Sequence, residues 1–408
     1  MHITKAARAR LRRALRRNLA EGWQRAVFAA PLGGREDADE PADERIVAGP
    51  ASADVEVVAA ALADLEATAL EEARAGRVKQ TFVIDARRSV VIDARHGKAR
   101  VRELDDAAIH KRMGGKDRLL RPDRSAELLR VIGIMNADGT ISTKRARKYK
   151  QVNHLIELCR PTWEHLKSHQ AIGEGRPLRV LDLACGNATL SFLLAEALRL
   201  EGLPLRLHGV DVREPLIARA RARAEALELP QLSFAVGTIA AAARSVVDVL
   251  GGPPDLVLAL HACDTATDEA LDLAIRAGAG AILAAPCCQR ELAAQLEGAD
   301  LRVPTPAIAR HGLLRRAHGE VLTDALRVEA LAACGYDTTT LEFVASEHTA
   351  KNLLIRALRR RPGQPVERER WRLGPLLERR RALAVRPTLL ALLERDGSDM
   401  GAPGDDPG

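Results

Sequence analysis

Two groups of residues in this chain have types and spacings suited to chemistry. In the first, Asp182 precedes the run Ala184-Cys185-Gly186-Asn187-Ala188, and Asp211 follows about 25 residues beyond Gly186. Small residues at 184, 186 and 188 let main chain and ligand approach closely, where larger side chains would block them. An acid after the next strand can grip ribose hydroxyls, so the pair reads as a nucleotide-cofactor site. Asp182 is placed to accept a hydrogen bond from an amine, which favours a cationic or neutral ligand over a pyrophosphate. The three-glycine spacing of a dinucleotide fingerprint is missing. The second group is His261-Ala262-Cys263-Asp264 with Pro286-Cys287-Cys288-Gln289. His261 could act as a general base or simply touch the cofactor. Cys263, Cys287 and Cys288 could supply a thiolate nucleophile with Asp264 as its proton partner, or pack as small hydrophobes. A metal set drawn from His261 and the three cysteines is conceivable, but zinc seldom takes adjacent cysteines, and no metal is expected.

These residues need a sheet to hold them. The apolar runs 179–183, 205–210, 232–236, 255–260 and 281–285 read as strands, the fourth being continuous in apolar residues as a strand buried on both faces should be. Helices are expected over 189–200, 268–277 and 322–334. Two more strands, 339–344 and 352–358, are joined by a link short enough to make them an antiparallel pair. Ligands of open α/β sheets lie at the carboxyl ends of the strands, which is where both groups fall.

The run Leu260-His-Ala-Cys-Asp-Thr-Ala-Thr-Asp268, followed by Pro286-Cys-Cys288, resembles one family of class I S-adenosylmethionine-dependent methyltransferase domains. That family includes tRNA ribose methylases and glutathione-transferase C-terminal-domain-containing protein. The resemblance spans residues 144–358. Two departures stand out: Asp264 replaces the family's glycine, and Gln289 replaces the histidine or aromatic that follows the cysteine pair. The resemblance implies a Rossmann-like seven-stranded α/β sheet with helices on both faces, and S-adenosyl-L-methionine as cofactor. It implies contact of that cofactor with Asp182, Ala184, Cys185, Gly186, Asn187, Asp211, Val212, Thr238, Ile239 and His261. RNA cytosine methylases also carry cysteines after strands four and five, where a thiolate adds to the pyrimidine ring before the methyl group. Cys263, Cys287 and Cys288 match that layout, although their neighbours do not.

Composition sets the frame around this core. The 408 residues are 47% hydrophobic, enough for a full core and a second domain. No apolar run approaches a membrane span or a secretory signal, and six cysteines without Cys-x-x-Cys pairing suggest reduced thiols, so a cytoplasmic protein is expected. An alanine-rich amphipathic helix over 51–76 and a hairpin-like pair at 81–84 and 90–93 precede the core. The expected organisation is a basic helical segment (1–35), a smaller α+β N-terminal domain (45–143), the methyltransferase domain (144–362), a helical extension (363–396) and a disordered tail (397–408).

Charge points to a partner. The net charge is +7, and two basic clusters carry it: seven basic residues from Lys5 to Arg17 ahead of any acid, and twelve between 111 and 150 against four acids. Such clusters neutralise phosphates. Aromatics at 2% argue against a base-stacking platform, so folded RNA such as tRNA or rRNA fits better than a single strand. Lys148, Lys150 and Gln151, with Arg147 and Asn153, and Lys351 with Asn352 are the expected substrate contacts. A small-molecule or protein methyltransferase, or a non-catalytic RNA-binding adaptor, are the other readings.

Overall fold

The computed structural model describes residues 3–29, 44–260, 262–297, 306–343, 352–367, 371–383 and 385–395. The chain divides into two compact units, Met1–Asn153 and His154–Gly408. The N-terminal unit opens with α1 (Lys5–Leu19), β1 (Arg25–Phe28), β2 (Arg45–Ala48) and α2 (Val55–Arg74). It continues with β3 (Lys79–Val83), β4 (Arg88–Asp93), β5 (Lys98–Glu103), α3 (Asp106–Arg112) and α4 (Ala126–Val131). The strands form one antiparallel sheet in the order β2-β1-β3-β4-β5. Helix α1 starts at Thr4, whose hydroxyl accepts a hydrogen bond from the Ala7 amide at 3.2 Å. Its Ala7, Leu11, Leu15 and Leu19 recur every four residues and are buried, joining Phe28, Phe82 and Ile92 in one core. The basic segment thus shares a core with the strands that follow it.

Helix α5 (Thr143–His169) carries the dividing point between the units. The second unit then runs β6 (Leu178–Leu183), α6 (Thr189–Leu200), β7 (Leu205–Asp211), α7 (Glu214–Ala226), β8 (Leu232–Val236), α8 (Ile239–Leu250), β9 (Leu256–Ala259) and α9 (Thr265–Arg276). After β10 (Ala281–Ala284) come α10 (Glu291–Gln295), α11 (Pro306–Arg310), α12 (Gly312–Ala333), β11 (Tyr336–Glu342), β12 (Leu353–Arg359), α13 (Gly374–Ala382) and α14 (Thr388–Glu394).

The expected seven-stranded α/β sheet is present, in the order β11-β12-β10-β9-β6-β7-β8. Strands β8, β7, β6, β9 and β10 pair in parallel, and β12 runs antiparallel to both β10 and β11. Chain order reverses between β6 and β9, and that reversal opens a crevice at their carboxyl ends. Two helices begin earlier than their apolar pattern suggested. Helix α12 extends back to Gly312, and α9 starts at Thr265 because an abrupt turn at Asp264 ends the preceding loop. Residues of the C-terminal segment, including Leu389, Leu390 and Leu393, pack into the same core as β9 and β10. The segment 397–408 lies outside the described residues. Among the described residues, no helix is long and apolar enough to cross a membrane.

Candidate functional site

The turn after β6 is built by alternation. Ala184, Gly186 and Ala188 have φ of 52°, 60° and 55°, the left-handed region that side chains disfavour, so the small residues are needed for backbone shape as well as for access. Two main-chain bonds pin the turn: the Cys185 amide donates to Val210 O and the Ala188 amide to Cys185 O. Helix α6 follows directly, with its N-terminal amides beside the turn, the first of which, Thr189, donates to Asn187 Oδ1 at 3.3 Å. Asn187 is exposed there, and its Oδ1 accepts from the Thr189 hydroxyl at 2.7 Å. Arg223 donates to Asn187 O at 2.9 Å and ties α7 to the same loop.

The two acids differ in what they face. Asp211 closes β7 and accepts from the Gly186 amide at 2.8 Å, so it holds the turn from behind. It also accepts from the Arg213 amide and from two guanidinium nitrogens of Arg213, each at 2.9 Å. Burial works to raise its pKa, but the Arg213 and Gly186 hydrogen bonds outweigh this and hold the carboxyl below its ordinary value. Asp182, expected to meet a ligand amine, receives the hydroxyl of Ser191 on one of its oxygens and is 4% exposed. Burial pushes its carboxyl up to about 7, with the neighbouring charge of Asp211 adding to the rise. Ser191 is two residues into the helix that the turn launches, which brings its hydroxyl onto this carboxylate. Arg213 was not legible as a site residue, although its place two residues after the acid was a usable signal.

Beyond Asp211, apolar side chains stand uncovered at the strand ends. Val212 is 65% exposed and Val236 48% exposed, and Ile239 begins α8 beneath the exposed Thr238, which accepts from the Ala241 amide at 3.1 Å. Such a wall beside a ribose-gripping acid suits a flat heterocycle.

The second group of residues gathers at the ends of β9 and β10. The Sγ atoms of Cys263, Cys287 and Cys288 lie within 4.8 Å of one another, with Cys263 and Cys287 at 2.9 Å and Cys287 and Cys288 at 3.8 Å. The first two are exposed and the third half-buried. The hydrogen bond to Cys287, then burial, push the Cys263 thiol up; burial pushes Cys288 up. Neither favours the thiolate form at neutral pH. Asp264, expected as their proton partner, accepts on its Oδ1 from the Arg290 and Glu291 amides and caps α10. Its φ is 52°, which explains the glycine of the family pattern: a backbone shape that glycine adopts freely is here forced on an aspartate. Gln289, the other departure, is buried and donates to Asp324 at 2.7 Å. His261 lies outside the described residues.

Sequence reasoning missed the frame around these thiols. Arg327 on α12, 2% exposed, donates to both oxygens of Asp268, at 3.0 and 2.7 Å, and to Asp264 O at 2.8 Å. Thr267 closes the loop by donating to Ala262 O at 2.8 Å. The Ala-Thr-Asp run is therefore structural. Of the expected substrate contacts, Lys148 and Lys150 are exposed on α5 and Gln151 is half-buried. Asn153 is buried and braces the helix, accepting from the Leu120 amide at 3.0 Å. Asn352 is 9% exposed next to β12, and Lys351 lies outside the described residues.

Residues 147–295 match the model of a family described as "Methyltransferase domain", so the chain carries a methyltransferase domain and is an enzyme of that class. Among solved structures, it is similar to magnesium protoporphyrin IX methyltransferase from Synechocystis PCC 6803 with bound SAM. That match has 15% identity over 57% of this chain and 90% of that one, with a TM-score of 0.31. The SAH-bound methyltransferase PaMTH1 of Podospora anserina matches at 12% identity over 58% and 87%, with a TM-score of 0.33. The CMeT domain of citrinin polyketide synthase matches at 17% identity over 53% of this chain and 57% of that one, with a TM-score of 0.30. No curated protein matches the chain.

Proposed function

We propose that this methyltransferase transfers the methyl group of S-adenosylmethionine to RNA, of the tRNA or rRNA kind. The cofactor reading rests on the turn at Ala184–Ala188, the carboxylate of Asp211 behind it and the uncovered Val212 and Val236 beyond. Methyl transfer from a sulfonium depends mostly on alignment of acceptor and methyl group, so a rigid turn is the main requirement. Arg213 sits on the Asp211 carboxylate and would yield to ribose hydroxyls when the cofactor binds.

The observation that carries the RNA reading is a groove of about 840 Å³ in the N-terminal unit, lined by Arg10, Arg13 and Arg17 of α1 and by Ala99 and Val101 of β5. These arginines fall at spacings of three and four and so share one helix face. Arg16 also lines the groove but is engaged by Glu66, as is Arg12 on the neighbouring face, whereas Arg10, Arg13 and Arg17 pair with no acid among the described residues. A row of unneutralised guanidiniums beside an edge strand suits a phosphate backbone.

A labelled tRNA pool titrated at two salt concentrations tests this reading. The triple variant R10A/R13A/R17A is expected to weaken binding and to reduce the salt slope by roughly 2–3, at about 0.7–0.9 per phosphate contact. An unchanged slope would remove the groove from the proposal. Tritiated cofactor incubated with fractionated cell extract reads the acceptor class directly. Label in protein or small metabolites, with none in RNA, would replace the RNA reading, and absence of cofactor uptake in calorimetry would leave only a non-catalytic adaptor.

A further inference from the structure

The three thiols at the ends of β9 and β10 are not needed for alignment of a sulfonium, yet the chain invests a strained residue and a buried ion pair in holding them together. We propose that Cys263, Cys287 and Cys288 bind a thiophilic divalent cation of the Zn²⁺ type through three sulfurs, with a fourth position open to solvent.

Geometry is the first support. A tetrahedral site with metal–sulfur bonds of about 2.3 Å places its sulfurs roughly 3.8 Å apart. Cys287 and Cys288 already stand at 3.8 Å, and all three sulfurs fit within 4.8 Å. Cys263, now 2.9 Å from Cys287, would retreat by about 1 Å to complete the triangle. Adjacent cysteines seldom serve one ion, because neighbouring side chains of extended backbone diverge; here the chain has left β10 at Ala284, and the turn brings both sulfurs to one side.

Preorganisation is the second. The loop bearing Cys263 and the loop bearing Cys287 and Cys288 are tied by the Asp264 amide donating to Cys288 O at 3.0 Å, and by the Asp264 carboxylate on the Arg290 and Glu291 amides. Arg327 clamps the Asp264 carbonyl from within the core. Backbone strain held by surroundings of this kind is typical of ligand sites. Charge is the third: binding converts three thiols and a dication into a complex of net charge −1 with release of three protons, and Arg213 lies within electrostatic reach of Cys263 to offset it.

The full chain, reduced and freed of metal with chelator, would be titrated with Co²⁺ as the probe. One equivalent is expected to produce near-ultraviolet sulfur-to-cobalt absorption and an intense visible band of tetrahedral type, both lost on adding Zn²⁺. C263S, C287S and C288S should each lower Co²⁺ affinity by more than the roughly 10–100-fold that losing an outer-shell partner costs. A variant that fails to fold is bypassed by alkylating the unaltered protein: Zn²⁺ should slow labelling of Cys263, Cys287 and Cys288, read peptide by peptide. The site is refuted by a protein with its thiols reduced that shows no cobalt–sulfur band, by a band that survives in C287S/C288S, or by labelling indifferent to Zn²⁺. None of these readouts depends on the methyl acceptor.

Discussion

The turns after β6 and β9 lie at the same edge of the sheet, and each contains non-glycine residues with positive φ, but they are held by different means. The first turn is held by main-chain bonds and by Asp211, which accepts the Gly186 amide. The second is held by side chains: the Asp264 carboxylate caps α10, and the Asp268–Arg327 pair is buried beneath it. A turn that must offer bare backbone to a ligand cannot fill its surroundings with side chains. One that displays side chains can be braced from behind.

If the second turn depends on its buried ion pair, breaking that pair should have the largest effect. R327M leaves Asp268 buried without its partner and is expected to lower stability by about 3–5 kcal/mol in urea unfolding. Cofactor affinity at 25 °C should change far less, because the first turn does not use that pair. Loss of cofactor binding in protein that remains folded would show that the two turns are one unit.

Next in size is the pH response of the first turn. The Asp182 carboxyl is held near 7, above its ordinary 3.8, so the folded state keeps a proton that the unfolded chain releases. That contribution to stability is fully present below about 3.8 and is lost as pH rises through about 7, amounting to roughly 2–4 kcal/mol. D182N should remove this part of the slope, so the variant should gain on the parent between pH 5 and pH 8. Parallel stability curves would mean that Asp182 titrates normally.

The smallest effect separates the two kinds of strain. Exchanging Ala for Gly at 184 relieves left-handed strain of about 1–2 kcal/mol but adds backbone freedom of about 0.5–1 kcal/mol, so A184G should stay within about 1 kcal/mol of the parent. The same Ala-to-Gly comparison at 264, D264A against D264G, should favour glycine by about 1–3 kcal/mol. Equal differences at both positions, measured by denaturant midpoints, would erase the distinction drawn here.

Much of the core was legible because it is local. Helix α6 and strand β8 match their apolar patterns residue for residue, and strands β6, β7 and β10 are within one residue of theirs. The antiparallel end of the sheet followed from the short link between β11 and β12. The small residues at 184, 186 and 188 identified the turn, though their conformational role emerged only with φ. Asp264 was noticed as a departure, but its meaning required knowing that the backbone there is left-handed.

Periodicity, small-residue spacing and the order of acids and cysteines along the chain determine the strands, the turns and the edge of the sheet to which the reactive residues come. Those are properties of neighbouring residues, set by steric and hydrophobic constraints within a few positions. Tertiary structure decided that Asp182 meets the Ser191 hydroxyl, that three sulfurs from two loops converge, and that Arg327 reaches back 59 positions to Asp268. Such contacts depend on which strands become neighbours and on how a late helix packs over them, and no local pattern contains that information.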